Sequence, residues 1–229
     1  LMSAPGTKLS TTENTDINEI LASLEDGEIS LRSWLGDLHA AGQLCQVQCE
    51  VDSKLELGGI TRVNLGLAGP ALMFNNIKDY QDTISKQFAT CGMGNKVQVS
   101  LLAGLDSNMP DKKIVRHFKE IYGNPVAPNV VDTSPVKENI IKGDDIDLSQ
   151  FPAPIWQALD GGRYLDTFCG VITKDKYNGR ENIGLYRGQV VDKNRIAKVM
   201  VATQGGGGHM TGYKEHKEKM PVAIAYGAH

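Results

Sequence analysis

The stretch ENIGLYRGQVV sets two polar side chains, the amide of Asn182 and the guanidinium of Arg187, among apolar and β-branched residues. An amide offers a carbonyl oxygen and N–H donors, and a guanidinium offers a permanently charged planar fork that matches carboxylate or phosphate oxygens. The pair suits an anion site. Two plainer readings stand beside it: Asn182 as a turn residue closing a hairpin next to Asn178-Gly179, and Arg187 as a surface-strand partner in a salt bridge. Further on, Gly205 to Gly208 form an unbroken glycine run. Such a run lets backbone N–H groups approach a phosphate as an anion nest, and it serves equally as a mobile loop. No GxGxxG follows a strand and opens a helix, and no GxxxxGK[ST] occurs, so the dinucleotide and P-loop readings have little support.

The remaining chemistry-bearing residues point nowhere sharp. Cys45, Cys49, Cys91 and Cys169 lack a structural-zinc spacing and read as buried free thiols. His39, His117 and His216 lie in helical stretches without carboxylate or thiol ligands at metal spacing. The net charge is −3, from 24 basic and 27 acidic residues, with neither a basic tract nor an acidic tail, which argues against nucleic acid or an anionic membrane as partner. No apolar run reaches the roughly 20 residues that cross a bilayer, and the first residues, LMSAPGTKLSTTENTD, hold no apolar signal core. The expectation is a cytoplasmic globular protein of 229 residues, 41% hydrophobic, acting on a small molecule.

The elements that must position Asn182 and Arg187 follow from periodicity. Apolar runs at Cys169 to Thr173 and Ile183 to Val191 flank Asn178-Gly179, a pair that accepts positive φ at both central positions, and so predict a β-hairpin. Residues five apart on one ideal strand face opposite sides, so Asn182 and Arg187 share a site only if the strand bulges near Gly184 or Asn182 precedes it. Upstream, Ser30 caps a helix through Leu44 with Leu31, Trp34, Leu35, Leu38 and Ala41 on one face. A strand at Cys45 to Val51, a helix at Lys54 to Leu67 and a strand at Ala71 to Asn75 give α/β alternation. Asp111 to Tyr122 reads as a helix with Ile114, Val115, Phe118 and Ile121 inward, ended by Gly123-Asn124-Pro125, and Pro125 to Pro135 as a loop. From Asn139 short strands dominate, with one late helix at about Thr211 to Lys219 and a last strand at Val222 to Tyr226.

From Pro152 through Gly206, carried by GGRYLDT, VITKD and NIGLYRGQVVDKNRIAKVMVATQGGGG, the chain resembles the UbiD family of decarboxylases without a gap. Looser similarity extends through LRSWLGDLHAAGQL, GPALMFNNI and MPVAIAYGA, and GPALMFNNI looks most like the branch acting on hydroxybenzoic acids such as protocatechuate and gallate. The polar, Ser/Thr-rich residues over 1–18 read as a mobile arm, and the α/β alternation as an N-terminal domain over 19–135. The resemblance implies that 136–229 is a flavin-reductase-like split β-barrel that binds the cofactor, an α+β protein in all. It also implies reversible, non-oxidative decarboxylation of an aromatic or α,β-unsaturated acid. Prenylated FMN would serve as electrophile and electron sink, with manganese, and potassium as a second ion, beside it.

Residue by residue, the resemblance makes Asn182 a metal ligand and Arg187 the catalytic Arg that pairs with the substrate carboxylate. Leu185, Tyr186 and Arg187 match one cofactor-contacting stretch, and Val199, Met200, Val201, Gln204 and Gly205 match the other. One branch carries a metal-binding His where this chain has Gly205, and His209 is the candidate to replace it. The family's metal-binding Glu and its proton-donating carboxylates fall beyond Tyr226, so the expectation is a cofactor-binding portion whose catalytic acids lie in a missing C-terminal part or a second chain. A homo-oligomer, or association with that missing part, follows as the expected assembly. The alternatives are a flavin-binding module, or a scaffold or maturation subunit, without decarboxylase activity of its own.

Overall fold

The computed structural model describes residues 30–227, together with Ile17 and Ala22. Ile17 is buried against Leu35 and Met73, and the rest of the arm expected over 1–18 lies outside the described residues. Helix α1, Leu31–Ala40, starts at Ser30, whose hydroxyl accepts from the Ser33 N–H while the Ser33 hydroxyl accepts from the Ser30 N–H. It ends short of Leu44 because Gly42, at φ 67°, and Gln43 donate back to His39 and Leu38 at 3.0 and 2.7 Å. That double bond with a left-handed glycine is a Schellman stop. Leu35 and Leu38 face inward, whereas Leu31 and Ala41, expected on the same face, are exposed.

Strand β1, Leu44–Val47, pairs in parallel with β2, Ala71–Phe74, through the crossover helix α2, Glu56–Gly66. Every residue of β2 is buried, and its Leu72 and Phe74 form the main core with Val51, Leu57, Ile77 and Tyr80. Two further elements carry no clear apolar period in the sequence. Strand β3, Phe88–Thr90, pairs antiparallel with β2. Helix α3, Lys96–Leu102, opens on Asn95, which forms a reciprocal capping box with Gln98. Helix α4, Asp111–Gly123, has the expected span but buries only Ile114. Val115, Phe118 and Ile121, expected inward, are exposed, because no described element packs along that face.

The second region comprises β4 Tyr164–Asp166, β5 Gly170–Lys174, β6 Glu181–Gly184, β7 Gly188–Asp192, β8 Arg195–Lys198, α5 Gly205–Glu215 and β9 Val222–Ala225. The strands form two antiparallel three-stranded sheets, β4-β7-β8 and β6-β5-β9, and no barrel closes among the described residues. The class is α+β. The two regions join where the Leu55 and Ile155 N–H groups donate to the carbonyls of Ile155 and Ser53 at 2.9 and 3.1 Å. Arg163 adds bonds to the Phe151 and Ala153 carbonyls and to the Tyr80 hydroxyl.

Candidate functional site

The expected continuous strand over Ile183 to Val191 is two strands in different sheets. β6 pairs with β5, Thr173 opposite Asn182, and then the chain leaves through Leu185, Tyr186 and Arg187 to enter β7 beside β4 and β8. The break after Gly184 removes the alternation that would force Asn182 and Arg187 onto opposite faces. The hairpin turn also differs from the expected form. Only Gly179, at φ 71°, is left-handed, and Asn178 is not. Four residues connect Asp175 to Arg180, and the Asp175 carboxylate accepts from the Tyr177 and Asn178 N–H groups at 2.8 and 3.1 Å. Those bonds, Asn178 first, hold the Asp175 carboxyl below the usual carboxylate range.

The glycine run is the first turn of α5 rather than a loop before a helix starting at Thr211. Packing accounts for three of its four members. A side chain at Gly205 would overlap the Asn182 amide, one at Gly206 would press on the Tyr186 hydroxyl, and one at Gly207 would overlap the Val201 carbonyl. The helix therefore lies directly against β6 and the Leu185–Arg187 link. One turn further, His209 is buried with Nδ1 3.0 Å from the Thr173 hydroxyl and Nε2 3.9 Å from the Asp175 carboxylate. Both ring nitrogens face the hairpin, so His209 fastens helix to hairpin. Among the described residues no three His, Cys, Asp or Glu side chains gather as a metal site.

At Asn182 the side-chain nitrogen is buried without a hydrogen-bond partner. A buried unsatisfied amide is costly, and which end carries oxygen is assigned by its partners. The amide lies against Gly205 with its nitrogen unpartnered, beside a helix N-terminus whose Gln204 gives no side-chain cap. The Gly206 N–H donates to the Tyr186 hydroxyl at 2.8 Å, while those of Gly205 and Gly207 meet no acceptor among the described residues. Free N–H groups and the positive end of the helix dipole favour a phosphate. Oxygen from an amide and from phosphate is what a hard divalent cation takes. These residues fit a phosphate-bearing cofactor with a divalent cation beside it.

Arg187 is exposed, with no salt bridge to a carboxylate among the described residues. Leu185, Val199 and Val201 are exposed apolar side chains, Met200 packs partly against Cys169, Val171 and Tyr186, and Gln204 is exposed. Tyr186 itself is buried, its hydroxyl spent on Gly206 and its ring against Gly184. Under the link lies a group the sequence reading did not single out. Asp166 is fully buried and accepts from Lys198 and from the Tyr226 hydroxyl, and Lys198 also donates to the Tyr186 carbonyl at 2.9 Å. The expected buried thiols are mixed: Cys169 is buried, Cys45 and Cys91 half-buried, and Cys49 exposed beyond the end of the short β1. Burial raises the thiol pKa of Cys45 and Cys169. GPALMFNNI lies over β2, where its apolar residues fill the core and Asn75 bonds Gln46 and Gln87.

Comparison with known proteins decides the lineage. The model of the 3-octaprenyl-4-hydroxybenzoate carboxy-lyase Rift-related domain matches residues 129–229, and that of the N-terminal domain of the same enzyme matches residues 35–118. The chain belongs to the UbiD family. A phenolic acid decarboxylase of Streptomyces sp. (strain D7) is 33% identical over 205 residues, covering 86% of this chain and 42% of that protein. A pyrrole-2-carboxylic acid decarboxylase of Pseudomonas aeruginosa is 29% identical over 206 residues, 87% of this chain and 42% of that one. Among solved structures, the closed form of Sedimentibacter hydroxybenzoicus vanillic acid decarboxylase superposes with a TM-score of 0.80 at 29% identity, covering 88% of this chain and 44% of that one. The UbiD-class enzyme HmfF of Pelotomaculum thermopropionicum in complex with FMN gives 0.76 at 26%, covering 88% and 43%. The chain thus spans under half the length of these UbiD relatives. Among the described residues no helix is long and apolar enough to cross a membrane.

Proposed function

We propose that this chain is the cofactor-binding portion of a UbiD decarboxylase. In this reading it acts reversibly on an aromatic acid, a hydroxybenzoic acid in particular, or on an α,β-unsaturated acid. Asn182 and the first turn of α5 would hold prenylated FMN together with manganese, with potassium as a second ion. The observation that carries the reading is the buried, unpartnered amide nitrogen of Asn182 set against Gly205. An HmfF structure in complex with prFMN supports the choice of cofactor. The free thiols suit a reducing cytoplasm.

Each residue has defined work in this account. The Arg187 fork takes both oxygens of the substrate carboxylate, which orients the acid and removes entropy from the barrier. Leu185, Val199 and Val201, exposed and apolar, would supply the apolar contact area that a flavin ring needs. When bound, prenylated FMN supplies an electrophilic centre and an electron sink for cleavage of the carbon–carboxylate bond. A carboxylic acid outside these residues returns the proton to carbon.

The test is metal and flavin retention in the full-length protein. Asn182→Ala is expected to lose bound manganese and flavin absorbance together, while Asn182→Asp, which keeps an oxygen at that point, retains the metal. Stoichiometric metal and flavin in Asn182→Ala would overturn the assignment.

A further inference from the structure

Arg187 stands in a three-residue link between two sheets, outside the hydrogen-bond ladder of either, so its backbone needs support from elsewhere. That support comes from one ion pair. The Lys198 ammonium donates to the carbonyl of Tyr186, the residue before Arg187, at 2.9 Å, and its other partner is the Asp166 carboxylate. On the other side of Arg187, Gly188 lies so close to the same carboxylate that a Cβ there would overlap it. The residue before Arg187 is thus bonded by Lys198, and the residue after it sits in the β7 ladder opposite both Asp166 and Lys198. Tyr226, just beyond β9, donates its hydroxyl to the second Asp166 oxygen and ties the neighbouring sheet to the pair.

Stability alone is a weak reason for this arrangement. Asp166 is fully buried and the Lys198 side chain is only 10% exposed, and a buried ion pair is often no more stable than apolar residues of the same size. What such a pair does provide is direction, because charge-assisted bonds fix the groups they hold. We propose that Lys198, anchored by Asp166, is a positioning residue that sets the Tyr186–Arg187 peptide and through it the aim of the Arg187 guanidinium. The inference rests on the reading of Arg187 as the carboxylate fork.

The experiment is a double-mutant cycle on full-length holoenzyme, with benzoate as the probe of carboxylate binding, measured by calorimetry, beside KM and kcat. Lys198→Met is expected to weaken benzoate binding about tenfold, Lys198→Arg to recover most of that loss, and Lys198→Met to add less than about twofold on an Arg187→Ala background. A merely structural role would weaken binding equally in both backgrounds, and that outcome, or unchanged binding in Lys198→Met, overturns the inference. Should Lys198→Met fail to fold, Asp166→Asn, which keeps the shape and removes the charge, must show the same non-additivity. Arg187→Ala alone reports on the underlying reading. If it binds benzoate as wild type does, the fork assignment falls. If it weakens binding while Lys198→Met adds its full effect on top, only the positioning role falls.

Discussion

Adjacent glycines in the first turn of α5 answer to different constraints. An alanine at Gly207 would drive its Cβ into the Val201 carbonyl, which is backbone and cannot swing away, so Gly207→Ala is expected to cost about 2–3 kcal/mol. At Gly208 the nearest atom would be the Ala202 carbonyl oxygen at 3.7 Å, an ordinary contact, so Gly208→Ala should gain about 0.5–1 kcal/mol of helix propensity. Urea unfolding of the two variants measures both, and equal losses would contradict the packing of α5 against the link. Tyr226 makes a second prediction at this scale. Burial first, then its bond to Asp166, raises the phenol pKa above its usual 10.0. The unfolded chain releases that proton near pH 10 while the folded chain keeps it, so stability falls as pH rises beyond 10 and is unaffected by this group below it. Tyr226→Phe should flatten that alkaline decline in a pH series of unfolding midpoints. Residue types were readable from sequence at Asn182 and Arg187 because a polar amide and a guanidinium amid apolar neighbours announce themselves. Asp166 and Lys198 did not, because each sits in an alternating strand where an exposed charge is ordinary, and only the tertiary fold turns them toward each other.

Hairpin and helix form one unit at the level of elements, since Gly205 meets Asn182, His209 meets Thr173 and Gly212 meets the Tyr177 ring along one side of α5. The Asp175 carboxylate organises the loop end of that unit. Its pKa is held below the ordinary 3.8 by the Asn178 and Tyr177 N–H groups, so the loop's stabilisation is present above pH 3.8 and is lost as pH falls through the lower folded value. The protection of the Tyr177 and Asn178 amides, taken relative to unprotected exchange at the same pH, should therefore fall in that acid window, and Asp175→Asn should remove the dependence. Periodicity found α1, α2, α4, the hairpin and β9 to within a few residues, because their apolar spacing is local. It placed the start of α5 six residues late, because four glycines are poor helix formers and only close packing against Tyr186 and Val201 holds them helical. The capping box of α3 and the Gly42 stop of α1 were present in the sequence as Asn95 with Gln98 and as the Ala-Ala-Gly run after His39.

Across the whole molecule, the site depends on the chain passing from one small sheet to the other between Asn182 and Arg187. Sequence spacing alone could state that demand but not how it is met. The α+β class was legible, as was family membership, since the ungapped stretch from Pro152 through Gly206 lies within the matched region 129–229. The exposed side of α4 was not, because an amphipathic pattern says which residues share a face and not what covers it. At this scale the proposed function comes down to Arg187 holding the substrate carboxylate beside a cofactor anchored at Asn182. The most direct measurement is exchange of labelled carbon dioxide into hydroxybenzoic acids by full-length holoenzyme, wild type against Arg187→Ala, with flavin and metal content matched. Exchange is expected in the wild type, with a loss of about a hundredfold or more in the variant. Equal exchange in both proteins would contradict that role for Arg187.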